Sequence, residues 1–130
     1  MRSLLDTHVW LWSLTAPEKL GIAVRALLSD PSHTLYLSAA SAWEIAIKYG
    51  LGRLPLPEPP EKFVPQRLVR DGVRALPVDL KHALHVATLP DHHRDPFDRL
   101  LVAQSQIEDL PLLTADEQLS AYDVRSMKAV

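Results

Sequence analysis

Asp6, Glu44, Asp98 and Asp116 are the residues of this chain best placed to do chemistry. Asp6 closes the apolar opening Ser3-Leu4-Leu5. Glu44 lies one helical turn past the run Leu35-Tyr36-Leu37, and Asp116 follows Pro111-Leu112-Leu113-Thr114 by two residues. Asp98 sits inside Asp95-Pro96-Phe97-Asp98-Arg99-Leu100-Leu101-Val102-Ala103. Far apart in sequence, they could be gathered by a parallel sheet, because ligands of open α/β sheets bind outside the carboxyl ends of the strands. Carboxylates sharing a pocket repel one another and call for a cation, and hard oxygen donors suit Mg²⁺ or Mn²⁺. The chemistry expected of such a centre is metal-assisted phosphodiester hydrolysis.

The elements that must position these groups follow from periodicity and breakers. Ser3–Asp6 reads as a short buried strand, followed by a helical pattern through Trp10, Leu11 and Leu14. Pro17 suits the start of a second helix, whose stripe is Leu20, Val24, Leu27 and Leu28. Asp30-Pro31-Ser32-His33 is a turn, and Thr34–Leu37 a second strand. Ser41 and Glu44 have the spacing of a capping box for a helix that runs to Gly50. Four prolines between Leu54 and Pro60 exclude regular helix or central strand there, giving an extended connection. Glu61–Asp71 reads as a helix with Phe63, Val64, Leu68 and Val69 inward. Val73–Val78 reads as a third strand, and Asp79 as the cap of a helix carrying Leu80, Ala83, Leu84 and Ala87. Asp95-Pro96 has the form of N-cap and N1 of a helix reaching Glu108. Leu110–Thr114 follows as the fourth strand, Ala115–Ala121 as a short helix and Asp123–Met127 as a fifth strand. This alternation predicts a parallel sheet covered on both faces.

Length and composition set outer bounds. At 130 residues the chain reads as a single domain spanning residues 1–130. It has no cysteine, so disulfides and thiolate metal sites are excluded, and a reducing cytosol fits. Met1–Asp6 does not read as a signal peptide, and no run of about 18 apolar residues predicts a membrane span. The net charge of −2 does not announce a nucleic-acid binder, although Arg67, Arg70, Arg74 and Lys81 fall in one stretch and Arg94 and Arg99 flank Asp95 and Asp98.

Each carboxylate also has an ordinary structural role open to it. Asp6 could cap the next helix, Glu44 could complete the box with Ser41, Asp98 could favour a helix N-terminus, and Asp116 could cap the last short helix. Glu44, however, stands among Ala42, Trp43, Ile45, Ala46 and Ile47, where an unpaired carboxylate is costly to bury. The joint placement at strand ends is what favours a site.

Four segments together resemble the motif regions of PIN domains, and within them the VapC-like toxin branch: Asp6-Thr7-His8-Val9-Trp10-Leu11-Trp12, Trp43-Glu44-Ile45, His93 through Gln104, and Leu113-Thr114-Ala115-Asp116. They come in order and span nearly the whole chain. The resemblance implies a three-layer α/β/α sandwich with a central parallel β-sheet. It also implies Mg²⁺- or Mn²⁺-dependent endoribonuclease activity on RNA, a VapB-type antitoxin as partner, a homodimer and a cytoplasmic location. Carried over residue by residue, it makes Asp6, Glu44, Asp98 and Asp116 the catalytic and metal-binding quartet. Asp98 is preferred over Asp95 in the third block because it precedes Leu101-Val102-Ala103 at the family's spacing, and Asp95 is left a contribution through water. Thr7 and Thr114 are candidates for orienting the neighbouring carboxylates.

Other residues compete with the quartet for a functional role. His82 and His85, with His92 and His93, invite a zinc reading, but HxxH without a further ligand motif leaves hydrogen-bonded histidines as the expectation. Trp10, Trp12 and Trp43 could stack bases, with packing favoured. Arg99 is offered either to substrate phosphate or to a salt bridge along its helix. Leu51–Pro57 could bind an antitoxin helix, a second copy or the sheet edge. Among other enzymes, a haloacid-dehalogenase-like phosphatase would want an aspartate where His8 stands, and no GxxxxGK[ST] segment exists for a P-loop. A catalytically silent interaction module on the same fold is the remaining competitor.

Overall fold

Five short segments join into one sheet in the computed structural model, which describes residues 1–122, 124 and 126–128. The strands are β1 (Arg2–Leu5), β2 (Thr34–Ser38), β3 (Arg74–Leu76), β4 (Leu112–Thr114) and β5 (Ser126–Lys128). All pairings are parallel, in the spatial order β3-β2-β1-β4-β5. The chain therefore winds outward from β1 in one direction, then returns to β1's other side for β4. The β1/β4 junction is the point where the winding reverses, and a crevice opens there at the carboxyl ends.

The helices are α1 (Thr7–Thr15), α2 (Ile22–Ser29), α3 (Ala39–Gly50), α4 (Pro60–Asp71), α5 (Leu80–His85) and α6 (Pro96–Glu108). Strand alternation divides the core into two clusters. Leu5, Leu35, Leu37 and Leu113 pack with Val9 and Trp10 of α1, Val24 of α2, Ile45 of α3, and Phe63 and Val64 of α4. Leu4 and Leu112 point the other way, to Leu101, Val102 and Ala103 of α6, with Leu89, Leu119 and Tyr122. Each fully buried leucine contributes roughly 1.5–3 kcal/mol of transfer free energy, so both faces of the sheet are anchored. This is the expected α/β/α sandwich with a parallel sheet.

Several element boundaries differ from expectation, each for a local reason. Ser41 does not cap α3. Ser38 does, from an extended backbone, its hydroxyl accepting from Ala40 N–H at 3.0 Å. The helix thus begins earlier and Glu44 belongs to no capping box. At the other end Gly50 is the last helical residue, Leu51 is the cap, and Gly52 takes the left-handed turn at φ +71°. Pro17 starts only a 3₁₀ turn, Pro17–Lys19, and Gly21 is the N-cap of α2. Strands three and four are shorter than read, and Ala115–Ala121 resolves into a 3₁₀ turn over Glu117–Ala121 capped by Asp116. The fifth strand is displaced to Ser126–Lys128, and Asp123 and Arg125 of the expected strand lie outside the described residues. Val69 is exposed.

The largest departure is α5. Leu80 and Leu84, read as its inward stripe, are 76% and 65% exposed, and His82 is the side chain that is fully buried. Its Nδ1 accepts from Asp79 N–H at 2.9 Å, which places the proton on Nε2, 2.9 Å from Glu108 Oε2 on α6. A two-ended polar anchor thus overrides the apolar stripe in deciding which way this two-turn helix faces. His85 similarly meets Gln106 at 2.7 Å. Neither histidine is left for zinc.

Candidate metal centre

Asp6 is the first residue beyond β1, and its N–H still reaches Leu113 O of β4 at 3.0 Å. The strand pairing itself therefore aims its side chain into the crevice. Although it precedes α1, its carboxylate makes no capping bond. Oδ2 instead accepts from the Thr114 hydroxyl at 2.7 Å. The carboxyl is only 5% exposed, and burial pushes it above the ordinary carboxylate range, against the pull of the Thr114 hydrogen bond.

Glu44 comes from the second turn of α3 and is 3% exposed. Oε2 accepts from Lys48 Nζ at 2.7 Å, whereas Oε1 is buried with no hydrogen-bond partner. A buried, unsatisfied carboxylate oxygen costs free energy unless something compensates it. The orientation of α3 is fixed near this point by Thr7, whose hydroxyl donates to the buried Ser41 Oγ at 2.8 Å. The Thr7 hydroxyl therefore ties the start of α1 to α3.

The third block divides its two aspartates. Asp95 is the N-cap of α6, its Oδ1 accepting from Phe97 N–H at 2.8 Å and Asp98 N–H at 3.2 Å. Asp98, half-buried one turn on, faces the crevice. Its carboxyl is pushed up to about 7, by burial first and then by the charges of Asp6 and Asp95, with His93 opposing and Glu44 adding. Asp98 thus feels three other carboxylates at once and retains a proton near neutrality.

Asp116 follows β4. Its N–H donates to Thr114 Oγ1 at 3.0 Å and its Oδ1 accepts from Gln118 N–H at 2.9 Å. Thr114 thereby links the Asp6 and Asp116 positions through one hydroxyl. Oδ2 of Asp116 meets Nε2 of His93 at 2.9 Å, and the same nitrogen lies 3.3 Å from Asp98 Oδ2. His93 Nδ1 accepts from Asp95 N–H at 3.0 Å, so its Nε2 carries the proton and donates to the carboxylates.

Sequence reasoning missed His93 in this role, having set it among possible zinc ligands. The available signal was its place two residues before an N-cap, close enough for the ring to take that residue's N–H. Among the described residues, the donor atoms of His93, Asp98 and Asp116 lie within 4.8 Å of one another. Asp6 and Glu44 lie close enough for their charges to act on Asp98 as well.

Arg99 departs from both roles offered for it. Its NH1 donates to the Pro90 and His93 carbonyls and to the Tyr122 hydroxyl, and its NH2 to those of Val86 and Leu89, at 3.0–3.4 Å. A planar fork with several fixed donors suits such a cluster of carbonyls. Arg99 organises the segment that carries His93, and its terminal nitrogens are spent. The tryptophans also separate. Trp10 is in the core, Trp12 is half-buried beneath Lys19, and Trp43 is 61% exposed against the edge of Phe97 at 5.2 Å.

The donor set fits a hard divalent cation: carboxylate oxygens from α3, α6 and the ends of β1 and β4, one of them buried and orphaned. No helix among the described residues is long and apolar enough to cross a membrane.

Comparison with known proteins agrees with this geometry. A stretch of 61 residues is 52% identical to Ribonuclease VapC16 of Mycobacterium tuberculosis, taking in 47% of this chain and 43% of that relative's length. The fold matches VapBC2 of Rickettsia felis bound to a promoter DNA fragment, with TM-score 0.75, 14% identity and full coverage of both chains. It also matches DNA-bound VapBC of Salmonella typhimurium, with TM-score 0.72, 16% identity and 98% coverage of each chain. The family described as PIN domain matches residues 3–125. With that match over nearly its whole length, and with carboxylates gathered where a parallel sheet reverses its winding, the chain belongs to the PIN domain family.

Proposed function

We propose that this protein is a Mg²⁺- or Mn²⁺-dependent endoribonuclease of the VapC toxin type, paired with a VapB-like antitoxin and acting as a homodimer. Its RNA substrate sets its work in the cytosol. The observation that carries the reading is the buried Oε1 of Glu44, unpartnered beside Asp6 and Asp98. Asp6, Glu44 and Asp98 would hold the cation, with Asp116 nearby and Asp95 acting through water. Bound there, it would supply activation of water and neutralisation of charge developing on the phosphate.

The chain's own groups prepare that centre. Thr114 fixes Asp6 by donating to Oδ2, and the carboxylate so held would be one ligand of the cation. His93, its proton on Nε2, steadies Asp98 and Asp116 while like charges crowd them. Lys48 neutralises the second oxygen of Glu44. Arg99 holds the backbone from Val86 to His93 and so sets where the His93 ring stands. Support from relatives lies in the name Ribonuclease VapC16 and in same-fold structures described as VapBC or toxin–antitoxin complexes.

The test incubates the purified protein and its Asp6→Asn variant with structured and single-stranded RNAs, in Mg²⁺, in Mn²⁺ and in chelator. Discrete cleavage by the parent alone, lost in chelator, is the expected result. No cleavage in any lane, with calorimetry finding no cation binding, would replace the nuclease by a silent interaction module.

A further inference from the structure

A cavity of about 420 Å³ lies between α1, the turn after it and the end of α3, with Glu44 in its wall. Its charged lining is one-sided. Lys19, Lys48 and Arg53 are there with His8, and the one carboxylate in the wall is Glu44 itself. Trp12 forms an aromatic wall, with Lys19 Nζ 5.5 Å from its ring centre and the His8 ring 6.1 Å away. Lys48 is committed to Glu44, and Arg53 and Lys19 make no ion pair among the described residues. The chain as a whole is slightly acidic, so three ammonium or guanidinium groups around one cavity are a local departure from its composition.

We propose that this cavity is a nucleotide subsite, taking the phosphate and base of the RNA residue next to the bond being cut; it rests on the nuclease reading above. Glu44 lines both the cavity and the carboxylate crevice, so a strand whose scissile phosphate lies at Asp6, Glu44 and Asp98 passes directly into it. The carboxylates of the crevice repel the flanking phosphates. Lys19 and Arg53 supply cations in the cavity, where long side chains neutralise a phosphate without fixing sequence. With Lys19 drawn from over the Trp12 ring to a phosphate, Trp12 and His8 offer flat surfaces to a base, a sequence-tolerant contact. An acidic peptide would satisfy the cations as well, but it would leave the continuity with Glu44 and the aromatic wall without purpose.

The test measures binding of a fluorescent single-stranded RNA decamer in chelator, where the strand stays intact, as a function of salt. The proteins compared are the parent, Lys19→Gln/Arg53→Gln, Trp12→Leu and Trp12→Tyr. Single-stranded RNA loses about 0.7 in the salt slope for each phosphate contact removed. The double variant should lower the slope by about 1.4, which amounts to binding about 25-fold weaker at 0.1 M salt. Its substrate KM in Mg²⁺ should rise more than its kcat falls. Trp12→Leu keeps apolar bulk and should weaken binding roughly fivefold or more, with Trp12→Tyr restoring it.

An unchanged slope and KM in the double variant, beside a parent that cleaves, would overturn the subsite and leave the nuclease standing. A parent that neither binds nor cleaves RNA would overturn both. Unchanged RNA affinity with lost binding of poly-glutamate would overturn the subsite in favour of an acidic protein ligand.

Discussion

Replacing Asp98 by asparagine should stabilise the cation-free protein above neutral pH while destroying its response to divalent metal. The side chain keeps its shape and its place in the first turn of α6, and only the charge goes. In the folded protein the Asp98 carboxyl is raised from an ordinary 3.8 to about 7. The folded state therefore holds a proton that the unfolded chain has already lost between those values. Stability from this group is accordingly greatest at low pH, falls as pH rises through that window, and stays low above about 7. The full difference corresponds to about 4 kcal/mol. Sharing of the repulsion with Asp6 and Glu44, and loss of up to about 1 kcal/mol from the helix dipole, bring the expected gain to about 2–3 kcal/mol at pH 8. For a chain of this size that is a rise in Tm of roughly 5–12 °C. Thermal melts of parent and Asp98→Asn in chelator at pH 5 and pH 8 test it. The gap should be small at pH 5 and open at pH 8. Adding 10 mM Mg²⁺ at pH 8 should raise the parent's Tm, since a ligand of the folded state stabilises it, and leave the variant nearly unmoved. A gap of the same size at both pH values, or a variant that melts below the parent at pH 8, would refute the argument that these carboxylates crowd one another.

Thr114→Val removes the donor to Asp6 and the acceptor for Asp116 N–H together. It should cost about 1–3 kcal/mol in stability and lower RNA cleavage tenfold or more, read by melts and by single-turnover kinetics. Retention of full activity would mean that Asp6 is oriented by something other than this hydroxyl. Arg99→Lys keeps the charge but not the fork, and should destabilise the fold by about 2–4 kcal/mol while slowing cleavage through His93. A variant as stable as the parent, but with a raised KM for RNA, would instead restore Arg99 to the phosphate-binding role.

The sandwich was legible because its strands are short apolar runs and its helices carry 3.6-residue stripes, both visible in one sequence. Asp95-Pro96 announced α6 correctly, since an N-cap followed by proline is a local signal with a local cause. The same signal marks Asp95 as the cap, and the family resemblance then favours Asp98 as the ligand; in the structure two backbone N–H groups occupy Asp95. Where the reading failed, a side chain's partner lay far away in sequence. His82 turned α5 inside out through Glu108, 26 residues on. Arg99 was drawn to carbonyls that no periodicity marks. Ser38 displaced Ser41 as cap because either serine suits the chemistry, and only the point where β2 ends decides between them. The role of His93 depends on Asp116, 23 residues later.

The hydroxyl of Thr114 reaches back to the carboxylate of Asp6 across 108 residues of chain. On a ribosome adding about 5–20 residues each second, the first of these two residues waits roughly 5–20 s for the second. Throughout that interval the emerging polypeptide has β1 without β4 beside it, and its first carboxylate without the group that orients it. The carboxylate of Asp6 is thus made long before the hydroxyl that orients it, and the centre takes its shape only when β4 is laid beside β1.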